Sequence, residues 1–240
     1  KEDFAVFKEN YELTIDHVSE NLNSLLKTAD EINTDELVEN VDKLVFQSKS
    51  RYEIMNMVYH IRTFDDETYR HSLNVAMINS VFAGWLGMTE YERKQLTLCG
   101  LMHDVGKLLI SKDILRKPGR LTEEEYEQIK KHPLLGYEKM KDKNIPESVK
   151  RVILLHHERA DGSGYPFGFH LKEIDPYAAI TAISDVYDAM TSNRVYRHGM
   201  NPFEVIEIFE KDGRKQFNPI FLVPILNNLT NTYLQHYVEL

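Results

Sequence analysis

The amino-acid sequence predicts an all-α fold for its 240 residues. Apolar residues recur at helical spacing in most segments from about Tyr52 onward, and no segment alternates apolar and polar residues for long enough to predict a strand. Thr122 followed by Glu125 is typical of a capping box, and Pro202 suits the first turn of a late helix. Glycine, proline and asparagine predict loops at 117–119, 144–146 and 161–168.

Composition narrows the class of protein. Apolar residues make up 42% and charged residues 28% of the chain, as is usual for globular proteins. A net charge of −9 argues against nonspecific binding to a nucleic-acid polymer. No segment approaches the roughly 20 apolar residues that span a bilayer. Cys99 is the single cysteine, which excludes a disulfide framework and predicts a cytoplasmic protein. Because the chain starts at Lys1, we expect it to be part of a longer sensor protein.

We expect two regions, an N-terminal helical extension over 1–50 and a main domain over 51–240. In the extension a row of residues follows the alternating four- and three-residue steps of a coiled coil. Two interpretations stay open. In one, this helix packs on its own domain together with a second helix, which follows Asn33 and runs to about Phe46. In the other, the row is the contact surface of a homodimer that transmits a signal. The row consists of Phe4, Lys8, Tyr11, Ile15, Val18, Leu22, Leu25, Ala29 and Ile32.

A histidine and an aspartate interrupt an apolar helical segment at LMHDVGK. An unpaired buried charge would be strongly unfavourable, and a metal ion would remove that cost by taking His103 and Asp104 as ligands. The two oxygens of Asp104 can bridge two cations, and Lys107 lies one turn further on, where its ammonium can meet a phosphate oxygen. The alternative is a structural His–Asp hydrogen bond with Lys107 reaching toward solvent.

Further nitrogen and oxygen donors are scattered along the chain. Each is uninformative alone, and an isolated Glu-x-x-x-His pair more often makes a surface hydrogen bond. Together, five histidines, two aspartates and a glutamate can hold two or three divalent ions, with Fe or Mn favoured because sulfur ligands are lacking. Such ions bind a phosphate diester and lower the pKa of water, which predicts a metal-dependent phosphohydrolase. The additional donors are Glu67, His71, His132, His156, His157 and Asp185.

Six motifs in a fixed order resemble the HD-GYP family, a branch of the HD-domain phosphohydrolases. The resemblance covers about residues 65–221. It implies an HD-domain helical bundle in which residues 51–240 are catalytic, and hydrolysis of cyclic di-GMP to pGpG, with or without a further step to GMP. The motifs are ETYRHSLNVA, LMHDVGK, ILRKPGRLTEEE, KHPLLGYEKM, HHERADGSGYP and SDVYDAMTSNRVYR.

The resemblance also implies roles for individual residues. Glu67 matches the extra ligand of members that hold a third metal, and Lys107 matches the lysine near the substrate phosphate. Arg194 and Arg197 lie where members contact the nucleotide. The loop of Gly164, Tyr165 and Pro166 shapes the substrate site in the family and contacts partner signalling domains. The implied binuclear ligands are His71, His103, Asp104, His132, His156, His157 and Asp185.

Two alternatives to a cyclic di-GMP phosphodiesterase stay open at this point. One is an enzyme with the same metals that acts on another cyclic dinucleotide. The other is a binding module that responds to cyclic di-GMP and signals through the glycine loop and the N-terminal helix. The intact ligand set favours an enzyme, because a module that only binds would not need all eight donors.

Overall fold

The computed structural model describes residues 2–27, 33–48, 50–61, 67–192 and 198–238. Helices dominate these ranges, and their β-pairing amounts to one bridge between Asp161 and His170. The all-α prediction is confirmed. The helices are α1 (Glu2–Lys27), α2 (Thr34–Phe46), α3 (Arg51–His60), α4 (Glu67–Trp85), α5 (Glu90–Met102), α6 (Lys112–Leu115), α7 (Glu123–Ile129), α8 (His132–Met140), α9 (Glu147–Leu155), α10 (Pro176–Thr191), α11 (Pro202–Ile208), α12 (Arg214–Gln216) and α13 (Pro219–Val238), with a 3₁₀ turn at Val105–Leu109 and a π turn at Phe209–Gly213.

Local sequence signals set several helix boundaries as predicted. The Asn33 side chain accepts a hydrogen bond from the Glu36 amide and so caps α2. Thr122 and Glu125 form a reciprocal capping box at α7. Helix α11 begins at Pro202, whose missing N–H costs nothing in a first turn. These interactions satisfy amide groups that a helix start otherwise leaves without a partner.

The apolar row of α1 is buried within the chain. Tyr11, Val18 and Leu22 belong to the same core as residues of α4 and α5. Among the described residues, the row differs from the prediction at one position, because Phe7 is buried where the coiled-coil spacing placed Lys8. Ala29 and Ile32 of the predicted row lie outside the described residues. The large aromatic side chain of Phe7 fills the core one residue earlier, and Lys8 stays exposed. Helix α1 therefore packs on its own domain.

Helix α2 is attached to α5 by a partly buried ion pair. The two terminal nitrogens of the Arg93 guanidinium, Nη1 and Nη2, contact the carboxylate of Asp42 at 2.5 and 2.8 Å. Arg93 also donates to Ser80 on α4 at 2.9 Å and to Glu90 on its own helix at 2.8 Å. A guanidinium can satisfy this many acceptors at once because its five N–H groups are fixed in one plane.

Helices α4, α5 and α10 form the centre of the molecule. Gly100 of α5 lies against α4, where a β-carbon would come within 2.5 Å of the Ala76 Cα atom. Cys99 beside it is buried, as predicted. No helix in the described ranges is both long and apolar enough to cross a membrane. The close approach of α4 and α5 brings their N-terminal and C-terminal ends, with His71 and His103, to one place.

Burial of the α1 row within the chain generates a stability prediction. Leu22→Asp places a charge where the leucine side chain is 2% exposed, and we expect it to lower the free energy of unfolding by at least ~3 kcal/mol. Leu13→Asp on the same helix, where the leucine is 63% exposed, should change it by no more than about 0.5 kcal/mol. Urea denaturation followed by circular dichroism measures both values. Equal effects of the two variants would contradict this packing.

Candidate metal centre

The predicted ligands converge from five elements. His71 lies on α4, and His103 and Asp104 follow the end of α5. His132 begins α8. His156 and His157 follow α9, and Asp185 lies within α10. The structure thus brings together seven of the eight predicted donors. The Glu67 side chain, Arg194 and Arg197 lie outside the described residues.

Glycine allows the elements of the centre to approach one another. A β-carbon on Gly106, in the 3₁₀ turn after Asp104, would overlap the His132 carbonyl oxygen. On the other side, a β-carbon on Gly136 would lie 3.1 Å from the Gly106 nitrogen. Any larger residue at position 106 would push α8 away from Asp104. Gly106 was not among the residues predicted to matter, although it lies within the LMHDVGK motif.

Backbone carbonyls orient three of the imidazoles. The Nδ1 atoms of His103, His132 and His156 lie 2.8, 2.7 and 2.9 Å from the carbonyl oxygens of Gly100, Ile129 and Val152. A carbonyl only accepts, so each Nδ1 carries the hydrogen and each Nε2 keeps its lone pair. All three carbonyls belong to last turns of helices, and the Val152 carbonyl also accepts the His156 amide. The lone pairs point into the centre.

Asp104 is shared by two groups of donors. One group comprises Asp104, His132, His156 and His157, and the other comprises Asp104, His71 and His103. Its Oδ1 atom lies 3.2 Å from His132 Nε2 and 3.5 Å from His156 Nε2. Its Oδ2 atom lies 3.4 Å from His103 Nε2 and 3.6 Å from His71 Nε2. Each oxygen thus faces a different pair of imidazoles, as a carboxylate between two ions would.

The donor set fits divalent cations. Asp104 Oδ1 and His157 Nε2 are buried without a hydrogen-bond partner. The Nε2 atoms of His132 and His156 face each other at 3.3 Å, although both carry lone pairs. Facing lone pairs around a buried carboxylate are unfavourable unless a cation lies between them. Three imidazoles and a carboxylate oxygen supply a ligand set suited to a borderline divalent metal.

His71 completes the second group. Its Nε2 atom lies 2.9 Å from Asp185 Oδ1 and 3.3 Å from His103 Nε2. Its Nδ1 atom lies 2.7 Å from Asp188 Oδ2. Burial lowers the pKa of His71, but hydrogen bonds to Asp185 and Asp188 outweigh burial and raise it to about 10. Metal binding at Nε2 would therefore displace a proton.

The other donors are in the protonation states that bind metal. Burial alone would raise the pKa of Asp104, but the positive charge of Lys107 holds it well below its usual range. In the same way, the hydrogen bond from His71 outweighs burial and keeps the pKa of Asp185 low. Burial lowers the pKa of His156 to about 4, and that of His157 also falls well below its usual value. At neutral pH the carboxylates are thus ionised and these two imidazoles neutral.

Lys107 lies at the edge of the centre. Its Nζ atom is 2.5 Å from Asp104 Oδ2, and its side chain is 24% exposed. One N–H bond to the carboxylate leaves two further ammonium donors. The side chain can therefore present positive charge to an anion that enters from solvent.

The glycine loop forms one wall of the centre. The Tyr165 ring stacks on His157 with a centroid distance of 4.6 Å, and the Tyr165 amide donates to the His157 carbonyl at 3.2 Å. A β-carbon on Gly164 would collide with that same carbonyl oxygen, which explains the glycine. The peptide bond between Tyr165 and Pro166 is cis. The loop thus holds Tyr165 against the imidazole of a candidate metal ligand.

Two carboxylates that were not predicted from the sequence support the centre. Glu158 is 2% exposed, and its oxygens accept hydrogen bonds from the amides of Phe167 and Phe169 at 2.7 and 2.9 Å. These two bonds fix the backbone at the end of the glycine loop. Asp188 contacts His71 and follows Asp185 by three residues, so it lies on the same face of α10. That spacing is the signal that could have identified Asp188 from the sequence.

The shared position of Asp104 predicts the metal content of variants. Asp104→Ala should lower the content of both donor groups, whereas His157→Ala should affect only the group of Asp104, His132, His156 and His157. Asp42→Ala, which removes a carboxylate from the Arg93 ion pair, is the control and should keep the full content. Elemental analysis after reconstitution with Mn(II) measures the stoichiometry. An Asp104→Ala variant with undiminished metal would contradict the shared role.

Comparison with known proteins agrees with this arrangement. The family model of the HD domain matches residues 34–220. A cyclic di-GMP phosphodiesterase of Pseudomonas aeruginosa is 40% identical over 147 residues, which are 61% of this chain and 36% of the relative. A 3'3'-cGAMP-specific phosphodiesterase of Vibrio cholerae is 39% identical over 145 residues, which are 60% of this chain and 34% of the relative. The chain thus spans about a third of the length of these relatives.

A solved structure supports the fold. An HDG"Y"P protein from Bdellovibrio bacteriovorus superposes with a TM-score of 0.68 over 95% of this chain and 70% of its own, at 23% identity. The match to the family model covers well over half of the chain. The adjacent His103 and Asp104 and the GYP loop lie at one centre. The chain belongs to the HD-domain family, in its HD-GYP branch.

Proposed function

We propose that the chain is a metal-dependent cyclic di-GMP phosphodiesterase that hydrolyses its substrate to pGpG, with or without further hydrolysis to GMP. The observation that carries the proposal is the pair of donor groups that share Asp104, with Lys107 beside them. This arrangement suits a phosphate diester, because the cations that these donors would hold and the ammonium group would both attract its negative charge. The similarity to a cyclic di-GMP phosphodiesterase supports the choice of substrate.

When bound, divalent ions supply Lewis acidity toward a phosphoryl oxygen and lower the pKa of water. The residues of the chain do the positioning. Lys107 donates to Asp104 and directs its remaining N–H groups toward a phosphate oxygen, where they stabilise the negative charge that grows in the transition state. Tyr165 covers His157 and shields that side of the centre from water. The Lys130 ammonium, which is paired with Glu127 at 2.9 Å, lies 5.5 Å from the Tyr165 ring.

The finer features of the proposal follow from the donor set and the family. Nitrogen and oxygen ligands favour Fe or Mn, and Glu67 would serve a third ion. Gly164, Tyr165 and Pro166, with Arg194 and Arg197, would contact the nucleotide. We also propose that the GYP loop contacts partner signalling domains, that the protein forms a homodimer, and that it acts in the bacterial cytoplasm.

A second candidate substrate is the hybrid dinucleotide 3'3'-cGAMP. The Vibrio cholerae relative named for it is almost as similar as the Pseudomonas aeruginosa relative. Both substrates offer the same phosphate diester to the centre and differ in one base. The choice between them would therefore be made by residues that contact the bases rather than by the metal ligands.

An anaerobic turnover assay tests the proposal. Protein loaded with Fe(II) or Mn(II) is incubated separately with cyclic di-GMP and 3'3'-cGAMP, and the products are separated by chromatography. We expect pGpG or GMP from cyclic di-GMP, and none with Asp104→Ala. Faster cleavage of 3'3'-cGAMP would select the second candidate. Binding of cyclic di-GMP without any product from fully metallated protein would instead indicate a binding module.

Lys107→Ala should separate substrate chemistry from metal binding. Because the lysine contacts Asp104 without being a metal ligand, we expect full metal content and a turnover reduced by about a hundredfold, typical of losing one electrostatic donor. Lys141→Ala is a matched control, since this lysine pairs with Glu138 at the surface, and it should leave turnover unchanged. Unaltered turnover in Lys107→Ala would remove the lysine from the proposed mechanism.

A further inference from the structure

The side of His71 that faces away from the donor groups is held by a carboxylate. Asp188 Oδ2 lies 2.7 Å from His71 Nδ1, and Asp188 Oδ1 accepts a hydrogen bond of 3.0 Å from Asn74 Nδ2. Asp188 is 2% exposed. Both of its oxygens are engaged away from the centre, so it orients His71 and does not offer an oxygen to an ion.

This series of hydrogen bonds continues to the N-terminal helix. The Tyr11 hydroxyl of α1 donates to Asn74 Oδ1 at 2.6 Å, in a buried contact between residues 63 positions apart. Tyr11 is 1% exposed and Asn74 is 7% exposed. Three consecutive bonds thus connect α1 with His71. The two bonds of Asn74 are buried and the bond between Asp188 and His71 is partly buried, which limits competition from water.

The donor and acceptor roles along this series of hydrogen bonds are fixed by the groups at its two ends. Asp188 only accepts, so His71 Nδ1 and Asn74 Nδ2 must donate to it. The amide oxygen of Asn74 then faces α1 and can only accept, which requires a protonated phenol. Burial raises the pKa of Tyr11, and the negative charge of Asp188 raises it further. With Nδ1 donating, His71 presents its Nε2 atom to the centre.

A second contact holds the same stretch of α4. Arg70 makes a two-pronged ion pair with Glu12 at 2.9 and 2.6 Å. Tyr11 and Glu12 are adjacent on α1, and their partners Asn74 and Arg70 lie on either side of His71 in the sequence of α4. The position of α1 therefore affects both the backbone of α4 at His71 and the orientation of the His71 imidazole.

We propose that Tyr11, Asn74 and Asp188 form a positioning relay through which helix α1 sets the orientation of His71 at the metal centre. The proposal rests on the proposed function only in that His71 binds an ion. It makes α1 a component of the centre, because withdrawing the Tyr11 hydroxyl frees the Asn74 amide to rotate. Asp188 then loses the partner that aligns it with His71 Nδ1.

The test uses the complete chain loaded with Co(II), whose visible absorption reports ligand geometry. Tyr11→Phe removes only the hydroxyl. It should shift the Co(II) bands and speed ion release to EDTA about threefold to tenfold, somewhat less than the loss typical of a group that contacts a ligand directly. In an Asn74→Ala background, which already breaks the relay, Tyr11→Phe should add nothing further, since coupled residues are not additive.

Tyr233→Phe is the matched control. Its hydroxyl contacts that of Tyr187 at 2.9 Å in a buried site that is not on the relay, so it should lower stability without moving the Co(II) bands or the release rate. Equal Co(II) spectra and release rates for Tyr11→Phe and the unaltered chain would overturn the proposal. So would equal changes in Tyr11→Phe and Tyr233→Phe, or a chain that takes up no Co(II).

The relay and the proposed function fail in different ways. A chain that binds Co(II), responds to Tyr11→Phe and cleaves no cyclic dinucleotide would retain the relay and lose the proposed activity. A chain that cleaves cyclic di-GMP and shows no response to Tyr11→Phe would retain the activity and lose the relay.

Discussion

The buried carboxylate of Asp104 is the constraint on which the rest of the centre depends. Removing a charge from water is costly unless opposite charge or hydrogen-bond donors replace the solvent. Here Lys107 supplies one donor at Oδ2, while Oδ1 lacks one. The imidazoles of His132 and His156 turn lone pairs toward Oδ1 rather than N–H groups. The protein thus carries an arrangement that is unfavourable by itself and favourable around cations, which is how a fold reserves a site for a metal.

Helix ends and glycines produce that arrangement. His103 and His132 each bind a carbonyl of a last helical turn, so one contact both satisfies the helix end and fixes the imidazole. The Val152 carbonyl, which also accepts the His156 amide, fixes the imidazole of His156. Gly100 and Gly106 let the neighbouring elements approach to distances that a β-carbon would forbid. Orientation and proximity therefore come from the backbone, and the ligand side chains need little freedom of their own. Such preorganisation favours ion binding, since fewer rotamers are lost when the metal enters.

The N-terminal helix shows that an apolar sequence pattern does not identify the surface on which a helix packs. Its coiled-coil spacing is compatible with a partner helix, yet Tyr11, Val18 and Leu22 are buried against the core of the same chain. Periodicity shows which face of a helix is apolar and is silent about what covers it. Phe7 replaces Lys8 in the row because a straight helix has about 3.6 residues per turn rather than the roughly 3.5 of a coiled coil. Tyr11 then contributes its ring to the core and its hydroxyl to Asn74.

The sequence by itself determined the helical class, the capping residues of α2 and α7, the proline that begins α11, and the residue types of the centre. These follow from local rules of spacing and capping, and from the cost of burying charge. Only the tertiary structure decided that Asp104 faces two pairs of imidazoles, that Glu158 anchors the glycine loop, and that Asp188 turns to His71. The contacts of Asp104 and Asp188 join different elements, as positions 71 and 188 do, and depend on distances between elements that no local pattern encodes. Asp188 lies in the same motif as Asp185, but only the packing of α10 against α4 places the two carboxylates at opposite nitrogens of His71, Asp185 at Nε2 and Asp188 at Nδ1.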